Sequence, residues 1–240
     1  MNYKQQAAEY ALNYVQSGML LGLGTGSTTY FFIRALGERI HTGELSDILA
    51  VSTSIASTEL ANSLGIPQTT LSECARQGSM PLLDLAVDGA DEVDPELNLI
   101  KGLGRAALRE KIIEMHARQF VIVVDESKLV PQLGRRGPLP VELVPFEVEL
   151  QLLWLRSLGC RAELWLEDDG SPVVTDNGNN LVRCWFETGI ANPYALASIL
   201  AERPGIISHG LFLNMATHVI IAGSDGIRVV MRHQVSNPSR

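Results

Sequence analysis

Residues 19–40 read MLLGLGTGSTTYFFIRALGERI, and this stretch decides the fold. An apolar run at 19–23 enters a glycine-rich turn at 22–28, and the chain leaves the turn with apolar residues at helical spacing. A strand that passes through glycines straight into a helix opens a β-α unit. Upstream, residues 3–16 place Ala7, Ala8, Ala11, Leu12 and Val15 on one helical face. Downstream the alternation repeats: strand ILAVST (48–53), helix SIASTELANSLG (54–65), strand LLDLAVDG (82–89), helix AALREKIIEMHA (106–117), strand FVIVVDE (120–126). This order predicts an α/β fold, a mostly parallel sheet with helices on both faces. Such sheets gather ligands at the carboxyl ends of their strands.

The pattern changes near Gly134. LPVELVP (139–145) reads as a short strand and FEVELQLLWLRSLG (146–159) as an amphipathic helix. RAELWLE (161–167) and PVVTDNGNNLVRCWF (172–186) read as a hairpin-rich stretch that turns at Asp176, Asn177, Gly178 and Asn179. NPYALASILAERPG (192–205) reads as a helix with Pro193 at its first position. The segment 134–210 is therefore expected to be a small α+β unit. LFLNM, THVIIAG and GIRVVMR (within 211–232) are expected to return to the main sheet, giving a main domain of 1–133 and 211–240. The tail HQVSNPSR reads as unstructured.

Composition narrows the function. With 240 residues, 46% of them hydrophobic, the chain can bury a sizeable core. A net charge of −8 speaks against nucleic acid, whose binders gain most of their affinity from neutralising phosphates. A small anionic substrate would need a local cluster of cations. Cys74, Cys160 and Cys184 form no CxxC pair and are odd in number, which fits reduced packing residues. No run approaches the roughly 18 apolar residues of a membrane span, and the N-terminus lacks a signal-peptide layout. A cytoplasmic protein with no membrane partner is the expectation.

Four motifs carry chemistry. GLGTGST (22–28) could cradle an anion: glycines admit close approach, the helix start offers free N–H groups, and Ser27 and Thr28 add hydroxyls. It matches neither a dinucleotide fingerprint nor a P-loop. Alternatively it is a tight turn with Ser27 or Thr28 as N-cap. In Asp88-Gly89-Ala90-Asp91-Glu92, two carboxylates at a strand end could hold sugar hydroxyls or shuttle protons. A bare acidic turn is the alternative, and a magnesium reading finds nothing nearby to complete a ligand set. In KGLGRAALREK (101–111), Lys101 precedes a glycine loop that opens a helix, and Glu110 shares a helical face with Ala106, Ile113 and Ala117. An apolar surround would raise the carboxyl's pKa toward neutrality, as a general base requires. A solvated Glu110 paired with Arg109 or Lys111 is the other reading. Lys128, after the strand end at 125, is either a loop lysine or a fourth contact. The chain has 15 Arg but only Lys4, Lys101, Lys111 and Lys128, which favours specific roles for the lysines. His41, His116, His209, His218 and His233 show no metal spacing and read as surface or packing residues.

Taken in order, GLGTGST, STSIAST, VDGADEVD, KGLGRAALREKI, VDESK, LPVELVP and TDNGN resemble the ribose-5-phosphate isomerases of the A type, from Lys4 to about Arg232. The resemblance implies a Rossmann-like main domain related to sugar-phosphate isomerases and CoA transferases, a small α+β lid domain and a homodimer. It implies interconversion of D-ribose 5-phosphate and D-ribulose 5-phosphate without metal or organic cofactor. The family's base falls on Glu110, with Asp88 and Lys101 beside it as catalytic groups. Its substrate contacts fall on Lys4, Thr25, Gly26, Ser27, Thr28, Asp88, Gly89, Ala90, Asp91, Lys101, Gly102, Leu103, Gly104 and Lys128. Leu103 and Arg105 interrupt the family's run of glycines, and Arg183 stands where the family usually has an aspartate. A non-catalytic sugar-phosphate sensor on the same fold is the alternative, although no DNA-binding unit is attached.

Overall fold

A computed structural model describes residues 2–77, 80 and 82–232. The tail 233–240, with His233, lies outside the described residues. Helix α1 (Tyr3–Ala11) is N-capped by the Asn2 side chain. It leads through a short 3-10 turn to β1 (Leu20–Leu23), α2 (Thr29–His41), β2 (Leu49–Ser52) and α3 (Ile55–Ser63). Next come α4 (Leu71–Gln77), a helix the periodicity did not reveal, and β3 (Leu83–Asp88). Two-residue strands β4 (Glu92–Val93) and β5 (Leu99–Ile100) precede α5 (Ala107–Glu114) and β6 (Ala117–Asp125).

The main sheet runs β2, β1, β3, β6, then β12 (His218–Gly223) and β13 (Gly226–Met231). Every pairing but the last is parallel. A parallel strand covered on both faces reads as an unbroken apolar run, and β6 shows why. Val121 and Val123 face a core shared with α1 and α2, while Phe120, Ile122 and Val124 face a second core on the other side. All five side chains are at most 1% exposed.

β7 (Leu139–Leu143), β8 (Arg161–Leu164), β9 (Asn180–Trp185) and β10 (Ile206–His209) form a separate antiparallel sheet in the order β10, β7, β9, β8. Helices α6 (Val148–Ser157) and α7 (Pro193–Glu202) pack on it over a core of Leu139, Val141, Leu155, Val182 and Leu200. Asn192 caps α7 and Pro193 stands at its first turn, as expected.

One strand does not go where the sequence pointed. β11 (Leu211–Phe212) pairs with β5 rather than with the main sheet, making a three-stranded patch with β4. The apolar run is cut after two strand residues because Asn214 takes a left-handed φ of 57° and turns the chain. This patch matters: Lys101 follows β5, and Phe212 lies beneath it.

Candidate active site

The ends of β1, β3 and β6 are neighbours in the sheet, so the turns after Leu23, Asp88 and Asp125 emerge side by side. Loop 101–106 and the start of α5 close the space above them. The result is a cavity of about 350 Å³. Thr25, Gly26, Ser27 and Thr28 form one wall, Gly89, Ala90 and Asp91 the next, and Gly102, Leu103 and Gly104 a third. Lys4 and Lys128 stand at the cavity, and Lys101 and Glu110 line it as well. The structure therefore brings together every residue singled out from the sequence except Asp88.

Asp88 lies under the cavity floor, fully buried. Its Oδ1 accepts from Thr25 N (3.1 Å), Thr29 Oγ1 (2.9 Å) and Gly89 N (2.7 Å), and its Oδ2 accepts from Lys101 Nζ at 2.7 Å. In this structure it supports Lys101 and the glycine turn from beneath the floor and does not itself line the cavity, where a substrate contact was expected. The close packing explains Gly24: a Cβ there would collide with the Asp88 side chain. The capping alternative holds in position only. Thr28 stands at the N-cap of α2 without a side-chain bond, and Ser27 Oγ instead accepts from Lys4 Nζ at 2.9 Å.

Lys101 is 2% exposed. An ammonium has three N–H donors. One goes to Asp88 and a second to Gly89 O at 2.7 Å. The third side faces Glu110 Oε2 at 3.4 Å and Glu114 Oε1 at 3.7 Å, ion-pair distances without a hydrogen bond. The Phe212 ring lies 5.3 Å away. Burial alone would depress the Lys101 pKa, but Asp88, Glu110 and Glu114 outweigh it and hold the ammonium charged well above its ordinary range.

Glu110 is 2% exposed, which excludes the solvated reading. Burial pushes its carboxyl up to about 8; Lys101 opposes the rise, and the charges of Asp88 and Asp91 add to it. Its surround differs from the apolar one expected. Ala106 and Ile113 are buried beside it, but α5 ends at Glu114, and Ala117 already belongs to β6. The wall facing Glu110 is thus a charged cluster. Asp91 is also raised, by burial first, against the pull of the Leu103 N–H and Lys101.

The sequence assigns Glu114, His209 and Thr29 no site role, and Lys111 only the weight of a rare lysine. Glu114 is 3% exposed with neither oxygen hydrogen-bonded, and burial lifts its pKa well above the ordinary value. Its i+4 spacing from Glu110 was a usable signal. Lys111 donates to His209 O at 2.6 Å and lies 4.7 Å from the Phe212 ring; burial lowers its pKa to about 8. Burial, with Lys111 beside it, takes His209 down to about 3, so its imidazole is neutral. Thr29, the hydroxyl that holds Asp88, had no signal beyond following the glycine turn.

Residues 49–226 match the family model for ribose 5-phosphate isomerase A, phosphoriboisomerase A. The chain belongs to that family. It is 50% identical over 225 residues to the ribose-5-phosphate isomerase A of Roseiflexus castenholzii, covering 94% of this chain and 93% of the relative. A probable chloroplastic ribose-5-phosphate isomerase of Arabidopsis thaliana is 44% identical, covering 95% and 83%. Among solved structures, a D-ribose-5-phosphate isomerase in complex with phospho-erythronic acid superposes with a TM-score of 0.90 at 40% identity, covering 97% of this chain and all of that one. The Plasmodium falciparum ribose 5-phosphate isomerase gives 0.90 at 33% identity, covering 96% and 98%. The α/β fold with its largely parallel sheet is thus the fold of the family, and the chain is an isomerase by membership.

Proposed function

We propose that the chain interconverts D-ribose 5-phosphate and D-ribulose 5-phosphate through an enediolate, with Glu110 as the base. The observation that carries this reading is the Glu110 carboxyl at a cavity wall, 2% exposed and 3.4 Å from an ammonium with one donor uncommitted. A desolvated carboxylate binds a proton strongly enough to take one from carbon, and a base works best with a pKa near the operating pH. Glu110 removes the proton from C2 and returns it to C1. The charge that develops on oxygen meets the third N–H of Lys101 and the backbone of Gly102 and Gly104, which line the same cavity. Ring opening is assigned to Asp91. It lines the cavity and its raised pKa suits proton exchange with a sugar hydroxyl. Lys4, Lys128, Ser27, Thr28 and the start of α2 are placed to hold the phosphate. Segment 134–210 is assigned as a lid domain, the assembly as a homodimer and the location as the cytoplasm.

Ribose 5-phosphate in D₂O is the test. The protein is expected to form ribulose 5-phosphate with deuterium on carbon, while Glu110→Gln binds substrate and does neither. Binding without exchange by the native protein would support the sensor reading. Near-native kcat in Glu110→Gln would remove the base assignment.

A further inference from the structure

Loop 102–104 is a cavity wall made largely of glycine, and its internal tie is one turn bond, Arg105 N to Gly102 O at 2.9 Å. Two side chains hold it from outside. On the cavity side, Asp91 Oδ2 accepts from Leu103 N at 3.0 Å. On the far side, the Arg105 guanidinium makes a two-pronged pair with Glu167, Nη1 to Oε1 at 2.5 Å and Nη2 to Oε2 at 2.9 Å. The guanidinium also lies 5.4 Å from the centre of the Trp165 ring. Arg105 adopts φ 68°, a left-handed conformation unfavourable for a residue with a Cβ. The backbone thus accepts strain at the residue whose side chain makes the pair.

Helix α5 is fastened from the same direction. Arg109, next to the base, donates from Nε to Asn177 Oδ1 at 2.8 Å and from Nη2 to Asp176 O at 2.7 Å. Asp176 Oδ2 in turn accepts from Ile55 N at 2.8 Å. The turn carrying Asp176 is fixed from within by buried Glu142, whose Oε1 accepts from Thr175, Asn177 and Asn179. Glu167 stands in the neighbouring turn, closed by Glu167 N to Ser171 O at 2.8 Å and Gly170 N to Glu167 O at 3.0 Å, with Val173 N bonded to Trp165 O at 2.8 Å.

We propose that Arg105 and Glu167 are positioning residues that hold the 102–104 loop in its substrate-binding conformation when Asp91 engages the sugar. The inference rests on the isomerase reading. When Asp91 shares or takes a proton from a sugar hydroxyl its carboxylate loses charge, and the charge-assisted bond from Leu103 N weakens, so substrate loosens the inner tether. The outer tether then fixes the wall. Both partners are about two-fifths exposed (41% and 39%), so the pair is screened by salt and adds little to global stability. Its effect belongs in KM, through the geometry of the bound sugar.

The test uses Arg105→Gly, Arg105→Lys, Glu167→Gln and the double reversal Arg105→Glu with Glu167→Arg. Glycine tolerates φ 68° at no steric cost, so Arg105→Gly removes the tether without distorting the loop. Arg105→Gly and Glu167→Gln are expected to raise KM for ribose 5-phosphate about threefold or more with kcat within about twofold. Lysine, lacking the planar fork, recovers part of the loss, and the double reversal recovers most of it. High salt moves the native KM toward that of Arg105→Gly more than it moves the variant's own. An unchanged KM in Arg105→Gly overturns the proposal. So does a double reversal no better than the single changes, or a fall in kcat and Tm that tracks KM. If the native protein proves inactive, the isomerase reading has failed by itself. Hydrogen exchange then decides the tether: the Leu103 and Gly104 amides exchange faster in Arg105→Gly, and equal rates overturn it.

Discussion

Glu110→Gln is expected to make the protein more stable at alkaline pH while ending turnover. The folded carboxyl has its pKa raised from the ordinary 4.5 to about 8. Between those values the unfolded chain has released the proton and the folded chain has kept it. The unfolded state therefore binds fewer protons, and stability falls as pH rises through this window. This is the reverse of the salt-bridged carboxylate, whose lowered pKa makes stability fall toward acid. At 1.36 kcal/mol per pH unit, the full span amounts to about 5 kcal/mol of destabilisation once pH exceeds 8. Glutamine is nearly isosteric and neutral at every pH, so it escapes the cost of burying the charge. Lys101 keeps its hydrogen bonds to Asp88 and Gly89 O in the variant and is not orphaned. Local relaxation reduces the figure, and a gain of at least about 2 kcal/mol at pH 9, shrinking to within about 1 kcal/mol at pH 5, is the expected outcome. Urea unfolding of both proteins at the two pH values measures it. If the variant is the less stable protein at pH 9, or if the difference does not grow with pH, Glu110 is not held as a desolvated acid, and the reasoning about its basicity fails with it.

The same carboxyl sets the acid limb of kcat/KM. It should fall about tenfold per pH unit below an apparent pKa near 8, and a limb breaking near 4.5 would place the base in water. Lys101→Met should lower kcat by about 10²–10³ by removing the donor facing the developing charge; a loss confined to KM would assign Lys101 to binding alone. Gly24→Ala drives a Cβ into the Asp88 side chain, so activity should drop with the fold retained by circular dichroism. Native kcat in that variant would mean that the Asp88–Lys101 contact is not needed.

The fold was legible where local and global signals agree. The runs at 82–89 and 120–126 are apolar on both faces because both faces are covered, and the helices between them carry clear spacing. What the sequence hid depends on partners far away in the chain. LFLNM has the composition of a core strand, yet two residues of it pair with β5 before Asn214 turns the chain. Asp88 and Asp91 look equivalent as two carboxylates at a strand end. Four donors, including Thr29 and Lys101, bury one of them under the floor and leave the other on the wall. Glu114 has the i+4 spacing to share the face of Glu110, but a glutamate late in a helix is normally solvated. Only the fold reveals that α5 turns Glu110 and Glu114 toward the same ammonium.

That cluster explains how a chain of net charge −8 can hold an anion. Asp88, Glu110 and Glu114 surround Lys101, all at most 3% exposed. Three buried carboxylates against one ammonium would leave an excess of two negative charges, which a low-dielectric interior does not tolerate. Lys111, lowered by burial to about 8, is still mostly protonated near pH 7 and offsets part of that excess. The rest is relieved by proton uptake, toward which burial shifts the carboxyls of both Glu110 and Glu114. The deep end of the cavity is therefore nearer neutrality and rich in exchangeable protons, while Lys4 and Lys128 stand at the cavity in no ion pair among the described residues. In the proposed reaction this difference would orient a phosphorylated sugar, its phosphate toward the two half-buried lysines and its carbon skeleton against carboxyls whose proton affinity arises from the dryness that also lowers the stability of the fold.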